Sequence, residues 1–459
     1  MINERIFRAY DIRGQVGPDL NKEIAYHIGK AFASMNLQDC NKVVCVGYDG
    51  RVSSLEIFTA LTLGLADYEA EVINIGLVPS PMLYFADYML KPAASIMITG
   101  SHNPKNDNGF KMLSSGKSLH GEQIQYLKSL VLRSLQENLS TAAKRAPAFK
   151  SIDVHKDYIK KILEDIVISP TLKVIWDNGN GAAGKVLESL LSMLPNQNIL
   201  LNKEIDGNFP SHHPDPTVAE NLTELINTVK ANEFDLGIAF DGDGDRIGVV
   251  DSRGNIIWGD QLLTIFAEDI LKSSPGAAIV MDIKASNALL AYIRSLGGQP
   301  AISKVGHGFI KEKMKETGAV IAGELSGHMF FADKYFGYDD AIYAALRLID
   351  LLSRNNQSLD VLFDALPKTY NTPEIRVTVP EEQKFAIIEH IKASLQTVSD
   401  VKINDIDGIR VEMSDGWWLL RASNTEAKLN IRCEANSRAR LEGIKADVNK
   451  LIAPFNISI

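Results

Sequence analysis

Ala94-Ser95-Ile96-Met97-Ile98-Thr99-Gly100-Ser101-His102-Asn103-Pro104 is an apolar run that ends abruptly in a polar, turn-forming segment. Ala94–Thr99 reads as a buried strand, and the Gly, Ser, Asn and Pro that follow read as a loop. In open α/β sheets, ligand sites lie beyond the carboxyl ends of strands, which is where this loop falls. Lys105–Gly109 continues the polar stretch before Phe110-Lys111, so a long exposed loop is expected. A serine-hydrolase elbow does not fit, because it needs glycine two residues to either side of the serine and position 103 is Asn.

The same arrangement recurs downstream. Asp235–Phe240 reads as an apolar strand that delivers Asp241-Gly242-Asp243-Gly244-Asp245-Arg246 at its end. Three carboxylates at alternate positions repel one another unless a cation sits among them. An EF-hand is excluded, since Arg246 stands where its sixth position needs Gly and Ser252 where its twelfth needs Glu. An oxygen-only donor set with room for water and a phosphate oxygen suits Mg²⁺. A hydroxyl able to carry phosphate, paired with such a cation site, points to phosphoryl transfer.

Outward from these segments, most of the chain alternates short apolar runs with amphipathic stretches, the pattern of α/β units. Strands are expected at Lys42–Gly47, Glu71–Ile75, Lys173–Trp176, Ala277–Met281, Pro300–Ser303 and Ala319–Ala322, with helices at Leu55–Tyr68 and Glu122–Glu137. Ala142–Lys150 reads as a linker, and a third unit is expected to begin near Ile247–Asp251. From about Leu366 strands follow one another directly and a helix closes the chain over Arg438–Ile452, an α+β texture. The expected domains are 1–147, 148–249, 250–366 and 367–459. The first three are α/β and look like variations on one unit; the last is α+β.

A chain of 459 residues is too long for a single core. With 45% hydrophobic and 23% charged residues and a net charge of −9, nothing favours nucleic acid or an anionic membrane. The first residues lack the apolar stretch of a secretory signal. Three cysteines, Cys40, Cys45 and Cys433, have no framework or zinc spacing, so a cytoplasmic protein is expected.

Other polar clusters stand at strand ends. Gly323-Glu324-Leu325-Ser326-Gly327-His328 projects a carboxylate and a hydroxyl that match sugar hydroxyls, or is simply a turn. Arg421-Ala422-Ser423-Asn424-Thr425 combines a guanidinium, two hydroxyls and an amide, a phosphate cradle or an ordinary hairpin. Lys284 and His307 are single strand-end residues, and Arg8, Tyr10, Asp11 and Arg13 crowd the N-terminus. The Gly179-Asn180-Gly181 turn is a generic connection with no chemistry assigned.

In this order and spacing, the segments resemble the α-D-phosphohexomutase family, in its phosphomannomutase/phosphoglucomutase branch. Phe7-Arg8-Ala9-Tyr10-Asp11-Ile12-Arg13-Gly14 is similar to that branch's N-terminal signature. The Ser101 loop resembles the family's phosphoserine loop and Asp241–Arg246 its metal loop. Gly323–His328 resembles the sugar-specificity loop and Arg421–Thr425 the phosphate-binding loop. The resemblance implies three consecutive mixed α/β domains plus a C-terminal α+β domain around a central active-site cleft.

It also implies reversible interconversion of hexose 1-phosphate and hexose 6-phosphate, of mannose or glucose, through phospho-Ser101 and a hexose 1,6-bisphosphate. Ser101, Asp241, Asp243 and Asp245 would hold Mg²⁺, with hexose 1,6-bisphosphate as activator. Lys111, Arg13 and His328 would handle protons, the first two with lowered pKa values, and His102 would support the loop. Glu324 and Ser326 would grip the sugar. Arg421, Ser423, Asn424 and Thr425 would hold the distal phosphate, assisted by Lys284, His307 and Tyr10, and Arg246 would supply a further cation. Ala427 stands where the family often has Pro, and Ala285-Ser286-Asn287 lacks an extra basic residue. Hexose phosphates are the expected partners of a monomer or weak homodimer. A phosphoglucosamine mutase and a metal-dependent sugar phosphatase are the alternatives.

Overall fold

The computed structural model describes residues 2–37, 41–137, 147–355, 357–395, 401–424 and 426–459. Thr425 of the expected phosphate loop and residues 142–146 of the expected linker lie outside the described residues.

Val43–Tyr48 and Ala94–Ile98 run parallel in the middle of the first sheet, enclosed on both faces as their near-continuous apolar character requires. The sheet order is Ile12–Gln15, Asp107–Ser114, Ala94–Ile98, Val43–Tyr48, Glu71–Leu77 and Ala148–Ser151. Helix Lys22–Asn36 starts at Asn21, whose side chain accepts the Ile24 N–H at 3.0 Å. Each fully buried Ile or Val of these central strands contributes about 1.5–3 kcal/mol through the water it sheds.

The second sheet is ordered Ile256–Ile257, Ile247–Asp251, Leu236–Phe240, Lys173–Asp177 and Gln197–Leu201. The third is ordered Gln299–Ser303, Ala278–Asp282, Ile321–Gly323 and Met329–Phe331. The C-terminal sheet is antiparallel around Gly416–Ala422 and Lys428–Ala435, covered by Lys384–Leu395 and Arg438–Ile452.

Two expected boundaries are corrected. Ala148–Ser151 is no linker but the edge strand of the first sheet, parallel to Glu71–Leu77. Its four residues are all exposed, so only the backbone ladder defines it and no apolar pattern announces it. Ile247–Asp251 belongs to the second sheet, where it folds back antiparallel on Leu236–Phe240. The aspartate segment is therefore a hairpin turn and not a crossover between domains.

That hairpin is repeated. In the first sheet Ala94–Ile98 turns into the antiparallel Asp107–Ser114, and in the third Ile321–Gly323 turns into Met329–Phe331. The C-terminal domain does the same between Gly416–Ala422 and Lys428–Ala435. Each of the four motif segments is thus a short connection between two paired strands, pinned at both ends.

The domains close on one another unequally. One buried cluster runs through the first three, including Met97, Trp176, Phe240, Phe266 and Tyr343. The fourth docks on the third through Trp417 and Leu419 against Ile283. Arg410 stacks 3.8 Å from the Trp417 ring centroid and donates to Ala285 O and Asn287 Oδ1, each at 2.8 Å. Against the first domain, by contrast, the fourth makes the Arg8–Glu381 ion pair at 3.1 Å. Against the second it makes Arg376–Asp215 at 3.7 Å. No helix among the described residues is long and apolar enough to cross a membrane.

Candidate active site

Ser101 is buried, not part of a long exposed loop, because other parts of the protein cover the turn. Its φ of +49° is left-handed, a conformation that costs a non-glycine residue about 1–2 kcal/mol. Arg13 Nη1 donates to Asn103 Oδ1 at 2.7 Å, while Asp11 accepts from Arg13 Nε at 2.7 Å. The Ser101 hydroxyl donates to Asp241 Oδ2 at 2.8 Å, and His102 Nδ1 lies 3.2 Å from the same hydroxyl oxygen. The first and second domains meet at this hydroxyl.

The Asp241–Asp245 loop can come so close because residue 242 is glycine: a Cβ there would lie 2.4 Å from Ser101 O. Asp241, Asp243 and Asp245 are wholly buried, and one carboxylate oxygen of each lies within 4.8 Å of the others. Unscreened by a cation, such neighbours repel by roughly 3–4 kcal/mol per pair at an effective dielectric near 20. Burial, then Asp243 and Asp245, pushes the Asp241 carboxyl well above the usual range. Asp243 Oδ1 has no hydrogen-bond partner among the described residues. Hard oxygen donors, mutual repulsion and an orphaned buried oxygen fit a divalent cation such as Mg²⁺.

Lys111, from the strand after the serine loop, places Nζ 2.6 Å from Asp243 Oδ2 and also contacts Asp245 Oδ2. Burial alone would lower the lysine, but Asp243 and Asp245 hold it well above its ordinary value. Arg13 is likewise raised by Asp11 against burial. The lowered values expected for proton handling are therefore absent, and both side chains stand as cations among carboxylates.

The Glu324–His328 loop is tied to the Asp241–Arg246 loop. Glu324 accepts the Gly306 N–H at 2.7 Å and faces His328 Nδ1 at 3.0 Å, and Ser326 Oγ lies 3.1 Å from that nitrogen. His328 Nε2 is 3.3 Å from Asp245 Oδ1, and Arg246 and His328 form a backbone bridge. Burial would lower the imidazole, but Asp245 and Glu324 bring it up to about 9.

A cleft opens beside this cluster, lined by Tyr10, His102, Arg246, Lys284, Glu324, Ser326 and His328 with Arg421, Ser423 and Asn424. Arg421 Nε is held by Asp407 at 3.1 Å and Asn424 Nδ2 by Val305 O at 3.4 Å. His307 packs edge-on to the Tyr10 ring at 5.2 Å, and its ring nitrogens have no hydrogen-bond partner among the described residues. Burial, then Lys311 and Lys111, holds it well below the usual histidine range, so it is neutral. The described candidate residues thus come from four hairpins and the segments beside them, with Ser101, Arg13, Lys111 and the aspartates in a buried cluster next to the cleft-lining His102, Arg246 and His328.

Several contributors were not legible in the sequence. Glu374 and Arg376 line the cleft, and Lys284 Nζ lies 3.3 Å from Glu374. Burial would raise the Glu374 carboxyl, but Lys284 and Arg376 bring it down to about 2. Ser80 Oγ donates to Asp243 Oδ2 from the helix beside the serine loop. The turn at 179–181, to which the sequence assigned no chemistry, leads into a support for the Asp241–Asp245 loop, where Ala182 N donates to Gly242 O at 2.9 Å. Asp49 and Arg51 follow directly on an expected strand, the one signal that could have marked them.

Four family models cover the chain in order. They are described as phosphoglucomutase/phosphomannomutase α/β/α domain I over residues 4–137, domain II over 156–254, domain III over 258–370 and the C-terminal domain over 374–451. A phosphomannomutase/phosphoglucomutase of Pseudomonas aeruginosa is 46% identical over 440 residues, 96% of this chain and 94% of its own. A phosphoglucomutase of Neisseria gonorrhoeae is 41% identical over 445 residues, 97% of this chain and 96% of its own. A crystal structure of a phosphoglucomutase/phosphomannomutase family protein from Burkholderia thailandensis matches with a TM-score of 0.89 at 38% identity, covering 98% of each chain. With its four domains, its converging hairpin loops and this similarity along its length, the chain belongs to the phosphoglucomutase/phosphomannomutase family.

Proposed function

We propose that the protein is a phosphohexomutase that moves a phosphoryl group between O1 and O6 of glucose and mannose phosphates, with Ser101 as its carrier. The observation that supports this most directly is the Ser101 Oγ to Asp241 Oδ2 contact of 2.8 Å, next to a cleft lined by His102, Arg246, Glu324, Ser326 and Arg421. Phospho-Ser101 gives its phosphoryl group to the free hydroxyl of a hexose phosphate: the P–Oγ bond breaks, a P–O bond to the sugar forms, and the hydroxyl's proton goes to the released Ser101 Oγ. The resulting 1,6-bisphosphate turns round, and its other phosphoryl group returns to Ser101.

The side chains act mainly by position and charge, as this reaction requires. Arg13 and Lys111, both held protonated, neutralise the charge that develops around the transferred group. Asp241, Asp243 and Asp245 would hold Mg²⁺, which when bound adds electrostatic stabilisation of the seryl phosphate. When Ser101 Oγ takes phosphate back, its proton passes to the sugar oxygen that is released, and His102 Nδ1, 3.2 Å from Oγ, supports the loop. Burial, then Arg246 and Arg13, holds His102 well below the usual histidine range, so it stands beside Ser101 as a neutral hydrogen-bonding partner. Glu324 and Ser326 hold sugar hydroxyls, His328 fixes Glu324, and Arg421, Ser423, Asn424 and Thr425 hold the phosphate that is not reacting. Tyr10, Lys284, His307 and Arg246 complete the cleft, and the setting is cytoplasmic.

A coupled assay with Mg²⁺ and catalytic hexose 1,6-bisphosphate, run on mannose 1-phosphate, glucose 1-phosphate and glucosamine 1-phosphate, tests this reading. Conversion of the first two that collapses in Ser101→Ala is expected. Free phosphate release that survives the substitution would overturn the phosphoserine mechanism.

A further inference from the structure

Arg51 sits in the turn after Val43–Tyr48, and its side chain is wholly buried. All three guanidinium nitrogens are engaged. Nη2 donates to Ser101 O and to Asn103 O, each at 2.7 Å. Nη1 donates to Pro104 O at 2.6 Å and Asp107 O at 2.8 Å, and Nε donates to Asp49 Oδ2 at 3.2 Å. A single side chain therefore gathers four backbone carbonyls of the loop that carries Ser101.

Asp49 completes the grip from the other side. Its Oδ2 accepts the Gly100 N–H at 3.2 Å, and its Oδ1 accepts from Arg51 N at 3.1 Å and Ser54 Oγ at 2.6 Å. The loop has adapted to the guanidinium: a Cβ at residue 100 would lie 2.5 Å from Arg51 Cζ. The second domain then closes over the same side chain. A Cβ at residue 207 would lie 2.6 Å from Arg51 Cα, and the Phe209 ring centroid is 5.2 Å from the guanidinium.

We propose that Arg51 is the positioning residue for Ser101. It holds the loop carbonyls in a fixed fork, so that Ser101 keeps its left-handed backbone with Oγ aimed at Asp241. The Arg51 donors are spent on four loop carbonyls and Asp49, so it acts through the loop and not on substrate. A rigid, planar five-donor group can do this and a lysine cannot, since an ammonium has three donors and no fork.

This inference rests on Ser101 as the phosphoryl carrier. Its test is Arg51→Lys, which keeps the charge beside Asp49 but cannot reach four carbonyls. Dephosphorylated protein is mixed with excess hexose 1,6-bisphosphate, and the single-turnover gain of phosphate on Ser101 is followed by intact mass. Steady-state kcat and KM and the thermal midpoint are measured alongside. The expected result is a loss of about 10²-fold in both the single-turnover rate and kcat, the cost of a misplacement of order 1 Å, with KM within about threefold. Asp49→Asn, which loosens the guanidinium without removing it, is expected to give a smaller loss of the same kind and serves if Arg51→Lys does not fold. Transfer at the wild-type rate in the folded variants, or a loss confined to KM, would overturn the proposal while leaving the mutase reading intact. A wild-type protein that neither carries phosphate on Ser101 nor interconverts hexose phosphates would overturn both.

Discussion

Ser101 Oγ and Asp241 Oδ2 are 2.8 Å apart although 140 positions separate them in the chain. Each stands at the tip of a hairpin that ends a central strand of its own sheet, so the contact exists only when the first two domains are docked. Docking in turn depends on glycine at position 242, where the two turns touch. The proposed reactive centre is thus a property of the domain interface.

Gly242→Ala tests that interface. The new methyl group would lie 2.4 Å from Ser101 O and must push the turns apart. Overpacking of this kind costs about 1–3 kcal/mol, and the displaced hydroxyl is expected to lower kcat by about 10²-fold. Thermal unfolding and the coupled assay measure the two effects separately.

Asp241→Asn removes one of three mutually repelling carboxylates. In EDTA its thermal midpoint is expected to equal or exceed that of the wild type, while activity falls to background. Mg²⁺ is expected to stabilise the wild type by about 2.7 kcal/mol at a hundred times its dissociation constant. The variant is expected to show little of that shift. A wild-type midpoint indifferent to Mg²⁺ would contradict the assignment of the three aspartates.

His328 makes stability depend on pH. Its folded value of about 9 lies above the ordinary 6.5, so its contribution is fully present below 6.5 and is lost as pH rises through 9. Over that window metal-free wild type is expected to lose stability relative to His328→Gln by at most about 1.4 kcal/mol per pH unit. Denaturant titrations of both proteins at pH 6, 7.5 and 9 check the slope, and parallel behaviour of the two would contradict it.

Arg421 presents on the cleft wall a guanidinium held by Asp407 at Nε and Nη2, where it is proposed to meet the distal phosphate. Arg421→Lys keeps the charge and loses the fork. KM for hexose 1-phosphate is expected to rise by at least about tenfold, with unfolding shifted little. An unchanged KM would move the distal phosphate elsewhere in the cleft.

Much of the architecture could be read from residue patterns. The closing helix Arg438–Ile452 and the strands Val43–Tyr48, Ala94–Ile98 and Leu236–Phe240 fall within a few residues of their expected places. Their apolar periodicity is local and strong. Ala148–Ser151 was not legible, because an exposed edge strand is held by its ladder and carries no buried face. Arg51, Ser80, Glu374 and Arg376 were not legible either, since most of their partners lie far away in the chain.

The order and chemistry of the loops were settled by the chain of residues alone: a serine among turn formers, three aspartates spaced by glycine, and polar segments at strand ends. Such features depend on neighbours a few positions apart. The protonation of Arg13 and Lys111, the left-handed Ser101, the orphaned Asp243 oxygen and the grip of Arg51 were decided only by tertiary structure. The physical reason is that charge states and strained backbones depend on what surrounds them. Here the surroundings come from distinct domains, brought within hydrogen-bonding distance at one cleft.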